Sequence, residues 1–251
     1  MSSTRGIAIV TGASSGIGSA TALALANEGF HVIGAARRVE RLKELQAKNP
    51  AIEIRELDIT DQSSVDAFAA SLSGKPVELL VNNAGGAFDA DSVLDSDPEV
   101  WRQTYEVNVI GTVRMVKEIT PLMLAHGAGQ IVVLGSTAGH TAYENGGSYV
   151  AAKFAERSLA ATLRLELNGK PIRVSEISPG MVKTDEFAKV RFGGDSAKAA
   201  KVYEGVAEPL VAEDIAEAIR WVATLPGHVN IDSMVVRPIA QAANHKVHRQ
   251  L

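Results

Sequence analysis

Short, almost wholly apolar runs such as Ile131-Val132-Val133-Leu134 recur along the chain, each followed by a longer stretch of helical pattern. A strand apolar on both sides must be covered on both sides, which is the condition of a parallel sheet between two layers of helices. The pattern predicts strands over residues 7–10, 31–35, 52–57, 77–81, 130–134, 172–177 and 235–236. It predicts helices over 16–27, 39–48, 63–72, 101–124, 149–167 and 212–224, the last behind Glu213-Asp214, acids well placed for its dipole. Strand–helix alternation at this spacing requires right-handed crossovers, so the expected fold is α/β, a doubly wound (Rossmann-type) parallel sheet of about seven strands. Hydrophobic residues make up 46% of the chain and aromatics only 5%, so Val, Ile, Leu and Ala must fill the core.

The rhythm breaks after Pro179-Gly180, where residues 183–208 carry few strand signals and many charged and small residues. Two short helices forming a lid over a site fit this segment. There is no repeat or linker, so residues 1–251 read as one domain, with 183–208 as the lid and 238–251 as a tail. With few core-like residues, that tail should be poorly ordered on a monomer.

Several classes of function are excluded early. Lys and Arg total 25 against 29 Asp and Glu, and a net charge of −4 does not suit nucleic acid as a partner. There is no cysteine, which removes disulfides, thiolate zinc sites and cysteine nucleophiles together. No apolar run approaches the ~20 residues needed to cross a bilayer, and the apolar stretch at residues 6–10 is too short for a signal peptide. The chain therefore reads as a soluble, cytoplasmic protein. Its six histidines are scattered, and His245 and His248 sit in a polar tail, so no metal is expected.

The first strand runs into Thr11-Gly12-Ala13-Ser14-Ser15-Gly16-Ile17-Gly18, with Gly16 and Gly18 opening a helix. Glycines here let the backbone approach a pyrophosphate, whose charge is favoured by the free N–H groups of a helix start. Gly12, Ser14, Ser15, Gly16, Ile17 and Gly18 are the candidate cradle, while Thr11 orders the turn. Taken alone, such a turn could also serve a methyltransferase. The second strand ends Gly34-Ala35-Ala36-Arg37-Arg38, with no acid to hold the ribose hydroxyls of NAD and two guanidinium groups suited to a phosphate. NADP is the expected cofactor, with Arg37 on the 2′-phosphate and Arg38 beside it near the adenine. The alternative is that both arginines merely solvate the next helix.

Tyr149 and Lys153 stand four apart, one turn along a helix face, and Ser136 lies thirteen residues earlier. A cation beside a phenol favours its deprotonated form, which makes such a pair useful for proton exchange. The bland alternative is a solvated helix face carrying one half-buried ring.

Together with Asp58, Asn82-Asn83-Ala84-Gly85, Asn108, Pro179-Gly180 and Thr184, these residues resemble the short-chain dehydrogenase/reductase superfamily, in its order and over most of the chain. The resemblance implies Tyr149 as general acid–base and Lys153 as its helper on the nicotinamide ribose. It gives Ser136 the substrate oxygen and Asn108 a water that relays protons. It implies adenine contacts at Asp58 and Ile59, ribose-side contacts at Asn82, Ala84 and Gly85, and nicotinamide contacts at Ile177, Pro179, Gly180, Val182 and Thr184. It also implies a homotetramer, paired through helices 101–124 and 149–167 and through the last strand and tail.

The segments Phe187-Ala188-Lys189-Val190-Arg191-Phe192 and Thr224-Leu225-Pro226-Gly227-His228-Val229-Asn230-Ile231 are similar to the NADP-dependent 3-hydroxy acid, serine and L-allo-threonine dehydrogenase group. Such a substrate needs a cation for its carboxylate. Arg191 is the candidate, with Lys183 and Lys189 as alternatives, unless Arg191 forms a structural ion pair in the lid. Glu144 departs from the group's small uncharged residues, and facing the pocket it would repel an acid. The other readings are a reductase of a neutral ketone or aldehyde, and an NADP-binding protein without turnover.

Overall fold

The computed structural model describes residues 5–250; residues 1–4 of the amino-terminal stretch and Leu251 at the end of the tail lie outside them. The first half alternates β1 (Ile7–Thr11), α1 (Gly16–Asn27), β2 (His31–Ala36), α2 (Val39–Lys48), β3 (Glu53–Glu56), α3 (Gln62–Ala70) and β4 (Val77–Asn82). A long interrupted helix follows, α4 (Pro98–Tyr105) and α5 (Gly111–His126), then β5 (Gly129–Leu134), α6 (Gly147–Glu166) and β6 (Ile172–Pro179). Two short helices, α7 (Phe187–Arg191) and α8 (Ser196–Lys201), precede α9 (Ala212–Thr224) and β7 (Ser233–Val236).

The seven strands form one sheet in the order β3-β2-β1-β4-β5-β6-β7, and every pairing is parallel. Alternate residues of each strand face opposite layers. Ile7 and Ile9 join Ile33, Leu80, Ile131 and Val133 against Phe68 of α3, Met115, Ile119 and Met123 of α5, and Leu163 of α6. Ala8 and Val10 join Val32, Leu79, Val81 and Val132 against Leu25 of α1, Leu42 and Leu45 of α2, and Ile215 and Ile219 of α9. Each such aliphatic side chain contributes about 1.5–3 kcal/mol by leaving water. This two-sided burial is why the central strands β1, β4 and β5 read as largely apolar runs.

The strand order reverses between β1 and β4, so the segments leaving their carboxyl ends diverge and open a crevice. Thr11, 1% exposed, ties the two strands at that point. Its Oγ1 donates to Val81 O (3.3 Å) and accepts from the backbone N–H groups of Asn83 and Ala84 (3.0 Å each). The Asn83 amide donates back to Thr11 O at 2.8 Å.

Three local features differ from the sequence pattern. The helix expected at 101–124 begins at Pro98, behind Asp97, whose side chain accepts from Glu99 N. It is then interrupted by a π-helical turn, Glu106–Ile110, that carries Asn108. The Asn108 amide donates to Thr104 O (2.7 Å), while Thr112 Oγ1 donates to Asn108 O (2.7 Å), so side chains engage the carbonyls of the turn. The tail, expected to be poorly ordered on a monomer, instead packs on its own chain. It forms a hairpin of β8 (Gln241–Ala243) and β9 (Lys246–Val247). Gln241 Oε1 accepts from Met181 N, Asn244 donates to Thr137 O and Thr141 O, and Gln250 N donates to Gly205 O. These are polar ties to backbone groups, which hydrophobic patterning does not register. Among the described residues no helix is long and apolar enough to cross a membrane.

Replacing Thr11 with the isosteric Val should cost about 1–3 kcal/mol, because two part-buried N–H groups lose their acceptor. Urea unfolding measures this, and a loss under about 0.5 kcal/mol, the level of an ordinary surface substitution, would contradict the tie.

Candidate active site

A cleft of about 960 Å³ runs across the carboxyl ends of the strands, from the turn after β1 to the lid. Gly12 and Gly16 hold φ of +66° and +51°, where a side chain is strained. A Cβ on Gly12 would lie 2.8 Å from the Asn83 amide nitrogen, and one on Gly18 would run into Gly12 O and that same amide. The turn and the loop after β4 are thus fitted against each other without room for side chains. Ser15, at the start of α1, is extended and makes no side-chain cap, leaving the first N–H groups of the helix for an anion in the cleft. Gly12, Ser14, Ser15, Gly16, Ile17 and Gly18 all line it.

The two arginines after β2 have different partners. Arg38, not Arg37, reaches the turn, donating to Ser14 Oγ (3.0 Å) and Ser15 Oγ (2.9 Å). It also lies 2.8 Å from Glu186 of the lid, which Arg41 of α2 meets at 2.6 Å and Ser15 Oγ at 3.0 Å. Partial burial raises the Glu186 carboxyl, but the bonds from Arg38 and Ser15 and the charges of Arg38 and Arg41 outweigh it and hold it below the usual range. Arg37 lies toward Asp58 instead. Burial raises that carboxyl, while hydrogen bonds from Thr60 and the charges of Arg37 and Arg114 bring it below its ordinary value. Residues 37 and 38 directly follow a strand, so their side chains leave in different directions and only Arg38 reaches the turn. Asp58 and Ile59 line the cleft near Arg37, as do Ala84 and Gly85 on the other wall.

At the far end Ser136, just after β5, accepts from Ala138 N at 3.1 Å and faces the cleft. Tyr149 of α6 is buried beside Ala87 and Ala138, with Phe187 of the lid edge-on to its ring at 5.5 Å. Lys153 Nζ lies 5.6 Å from that ring's centroid and donates to Leu134 O at 2.9 Å. Pro179, Gly180, Val182 and Thr184 complete the wall after β6.

Three of the expected residues lie behind the cleft wall, and a fourth is exposed outside it. Asn82 is buried, and neither end of its amide has a hydrogen-bond partner among the described residues. Ile177 is in the core. Asn108 is wholly buried, its amide exchanging hydrogen bonds with the backbone of Gly86 (3.1 and 2.9 Å), so it shapes the loop after β4. Glu144 is exposed and does not line the cleft.

The lid is fastened by Arg191. It donates to Asp89 O (3.1 Å), Tyr143 Oη (3.2 Å) and Asn145 O (2.6 Å), with its guanidinium over the Tyr143 ring. Among the described residues its partners are neutral oxygens and it forms no ion pair, and these bonds engage three of its five N–H groups. Lys183 lines the cleft and Lys189 does not. Tyr143, Phe187, Arg41 and Glu186 also line it and were not singled out in the sequence. Glu156 was missed as well, although a carboxylate three residues after Lys153 on a helix is a readable signal.

Glu156 is the unusual group. Its Oε2 lies 2.7 Å from Lys153 Nζ, and both side chains are almost fully buried. A second buried carboxyl, Glu176, accepts from Ser178 (2.6 Å) and Ser233 (3.1 Å), with His140 3.5 Å away. Burial pushes the Glu156 carboxyl up to about 7 despite the pull of Lys153, and Glu176 adds to the rise. Burial lowers Lys153, but the surrounding negative groups, Glu156 first, carry it above its ordinary value.

Residues 6–193 match the family model described as short chain dehydrogenase. The chain belongs to this family. As a short chain dehydrogenase it is 47% identical over 239 residues to an uncharacterized oxidoreductase of Mycobacterium tuberculosis, covering 94% of this chain and 92% of that protein. It is 38% identical over 248 residues to an NADP-dependent 3-hydroxy acid dehydrogenase of Escherichia coli, covering 97% of this chain and all of that protein. The closed form of a serine dehydrogenase complexed with NADP+ superposes with a TM-score of 0.91 at 38% identity, over 97% of this chain and all of that one.

The Glu156 carboxyl, raised in the folded chain from 4.5 to about 7, is more protonated there than in the unfolded chain between those values. Its stabilisation is therefore present at low pH and lost as pH rises through 7. Urea unfolding at pH 5 and pH 8 should show Glu156→Gln escaping about 2 kcal/mol of the loss that the native protein suffers. Parallel losses in the two proteins would contradict the assignment.

Proposed function

We propose that the protein is an NADP-dependent oxidoreductase that moves a hydride between the nicotinamide and a secondary alcohol or its carbonyl, with a 3-hydroxy acid or β-hydroxy amino acid as substrate. One observation carries the chemistry: Ser136, Tyr149 and Lys153 converge at the far end of the cleft that the glycine turn begins. Bound there, the nicotinamide supplies or accepts the hydride. The protein's part is orientation and proton management. In reduction, charge grows on the substrate oxygen; the Ser136 and Tyr149 hydroxyls stabilise it, and Tyr149 delivers the proton. Lys153, held by Leu134 O and Glu156, supplies the positive field behind the ring. Asn108 would anchor a water that relays protons through Lys153, and it also fixes the Gly86 loop.

The donors along the cleft suit the cofactor. Gly12, Ser14, Ser15, Gly16, Ile17 and Gly18 would take the diphosphate, and Arg38 with Arg41 the 2′-phosphate. Arg37, Asp58 and Ile59 would bound the adenine, and Ala84, Gly85, Pro179, Gly180, Val182 and Thr184 the rest. Asn82 would support this wall from beneath. Lys183 and the remaining N–H groups of Arg191 are the cations for a substrate carboxylate, and the names of the E. coli and serine dehydrogenase relatives favour such a substrate. A neutral ketone or aldehyde is the second reading, favoured by the apolar lid residues Phe187, Val190 and Phe192 in the cleft wall.

We read residues 1–251 as one domain with a lid at 183–208 and a tail at 238–251, acting in the cytoplasm as a homotetramer. Exposed Tyr105 on α4, Phe154 and Leu165 on α6, Trp221 on α9, and Val235 and Ile239 near the end are apolar surface that subunit contacts would cover.

NADP+ reduction followed at the NADPH absorbance with serine, allo-threonine, 3-hydroxybutyrate, 3-hydroxyisobutyrate and neutral alcohols tests the substrate class. Turnover is expected with the hydroxy acids, and turnover confined to neutral alcohols would remove that class. Tyr149→Phe should lower kcat by roughly 10²–10⁴-fold, with little change in NADP affinity, as expected on losing a positioned proton donor. A near-native rate would contradict its role. Arg38→Asp should shift the kcat/KM ratio toward NAD more than Arg37→Asp does; the reverse ranking would restore Arg37 to the phosphate.

A further inference from the structure

Glu186 is bound as a ligand would be. Two guanidinium groups, Arg38 at 2.8 Å and Arg41 at 2.6 Å, and the Ser15 hydroxyl at 3.0 Å converge on its carboxylate. Arg38 in turn is braced by Ser14 Oγ. The partners lie 145–171 residues away in sequence, so the pairing ties the lid to the glycine turn and α2. Forked donors around a small planar anion are also what a phosphate monoester requires. These are the only cations that the turn and α2 aim at one point in the cleft among the contacts described.

We infer that Glu186 is an internal rival of the cofactor's 2′-phosphate, which must displace it from Arg38 and Arg41 to bind. This rests on the NADP reading above and extends it. A carboxylate left beside a phosphate on the same arginines would be repelled, so the two anions exclude each other. Glu186 directly precedes Phe187, whose ring packs edge-on to Tyr149. Displacing Glu186 therefore releases the first residue of the segment that covers the proton donor. A dinucleotide lacking the 2′-phosphate leaves the tie in place, so one carboxylate makes the lid respond to which cofactor is bound.

Calorimetric titration with adenosine 2′,5′-bisphosphate and with adenosine 5′-monophosphate tests this, since the two differ only in the 2′-phosphate. The native protein should favour the bisphosphate. Exposed ion pairs are each worth up to about 1 kcal/mol, so Glu186→Gln should bind the bisphosphate about three- to tenfold more tightly and leave the monophosphate within about twofold. If the native protein favours the bisphosphate but the variant binds it equally or more weakly, the rivalry is overturned and the NADP reading stands. Equal tightening of both ligands would also overturn it, placing the competition at the 5′-phosphate. A native protein indifferent to the 2′-phosphate would remove the NADP reading and the inference with it.

Discussion

The site depends on β1 and β4 lying side by side while the chain leaves them in opposite directions. That reversal opens the crevice, and the hydroxyl of Thr11 keeps it in register by bonding to Val81, Asn83 and Ala84 at once. The glycines at 12 and 18 follow from this closeness, because the Asn83 amide lies where their Cβ atoms would be. Conformational freedom at the turn is thus a consequence of packing between two loops as much as of ligand approach.

The reacting end is built on a second constraint, a cation removed from water. Burying an ammonium is costly unless a partner and hydrogen bonds compensate. Lys153 has a carbonyl of β5 and a carboxyl one helical turn on, and Glu176 adds negative potential from β6. Burial, with a smaller contribution from Glu176, outweighs the pull of Lys153 and raises Glu156 toward neutrality. The positive field behind Tyr149 is therefore fixed by three elements that also form the core, and not by a flexible surface side chain.

Much of this was legible in the sequence because it rests on periodicity and local spacing. Apolar runs marked the central strands, while the edge strands β3 and β7 are shorter and mixed, and glycines directly after the first strand located the turn. The four-residue step from Tyr149 to Lys153 holds on α6. Features set by tertiary partners were not legible. The π-helical turn at Asn108 has no compositional mark, since it arises from side chains bonding to neighbouring carbonyls. The tail was read as loose because its ties are polar and reach backbone groups of distant segments. Which of Arg37 and Arg38 points to the phosphate turn, and that Glu144 faces outward, depend on side-chain direction after a strand and in a loop. Spacing does not encode these.

A crystal structure with bound NADP tests the central claim most directly, that one cleft joins the glycine turn to Ser136 and Tyr149. The diphosphate is expected against the start of α1, the 2′-phosphate on Arg38, and the nicotinamide ring beside the Tyr149 hydroxyl. A nicotinamide lying away from that hydroxyl in every subunit, or a diphosphate seated elsewhere, would contradict it.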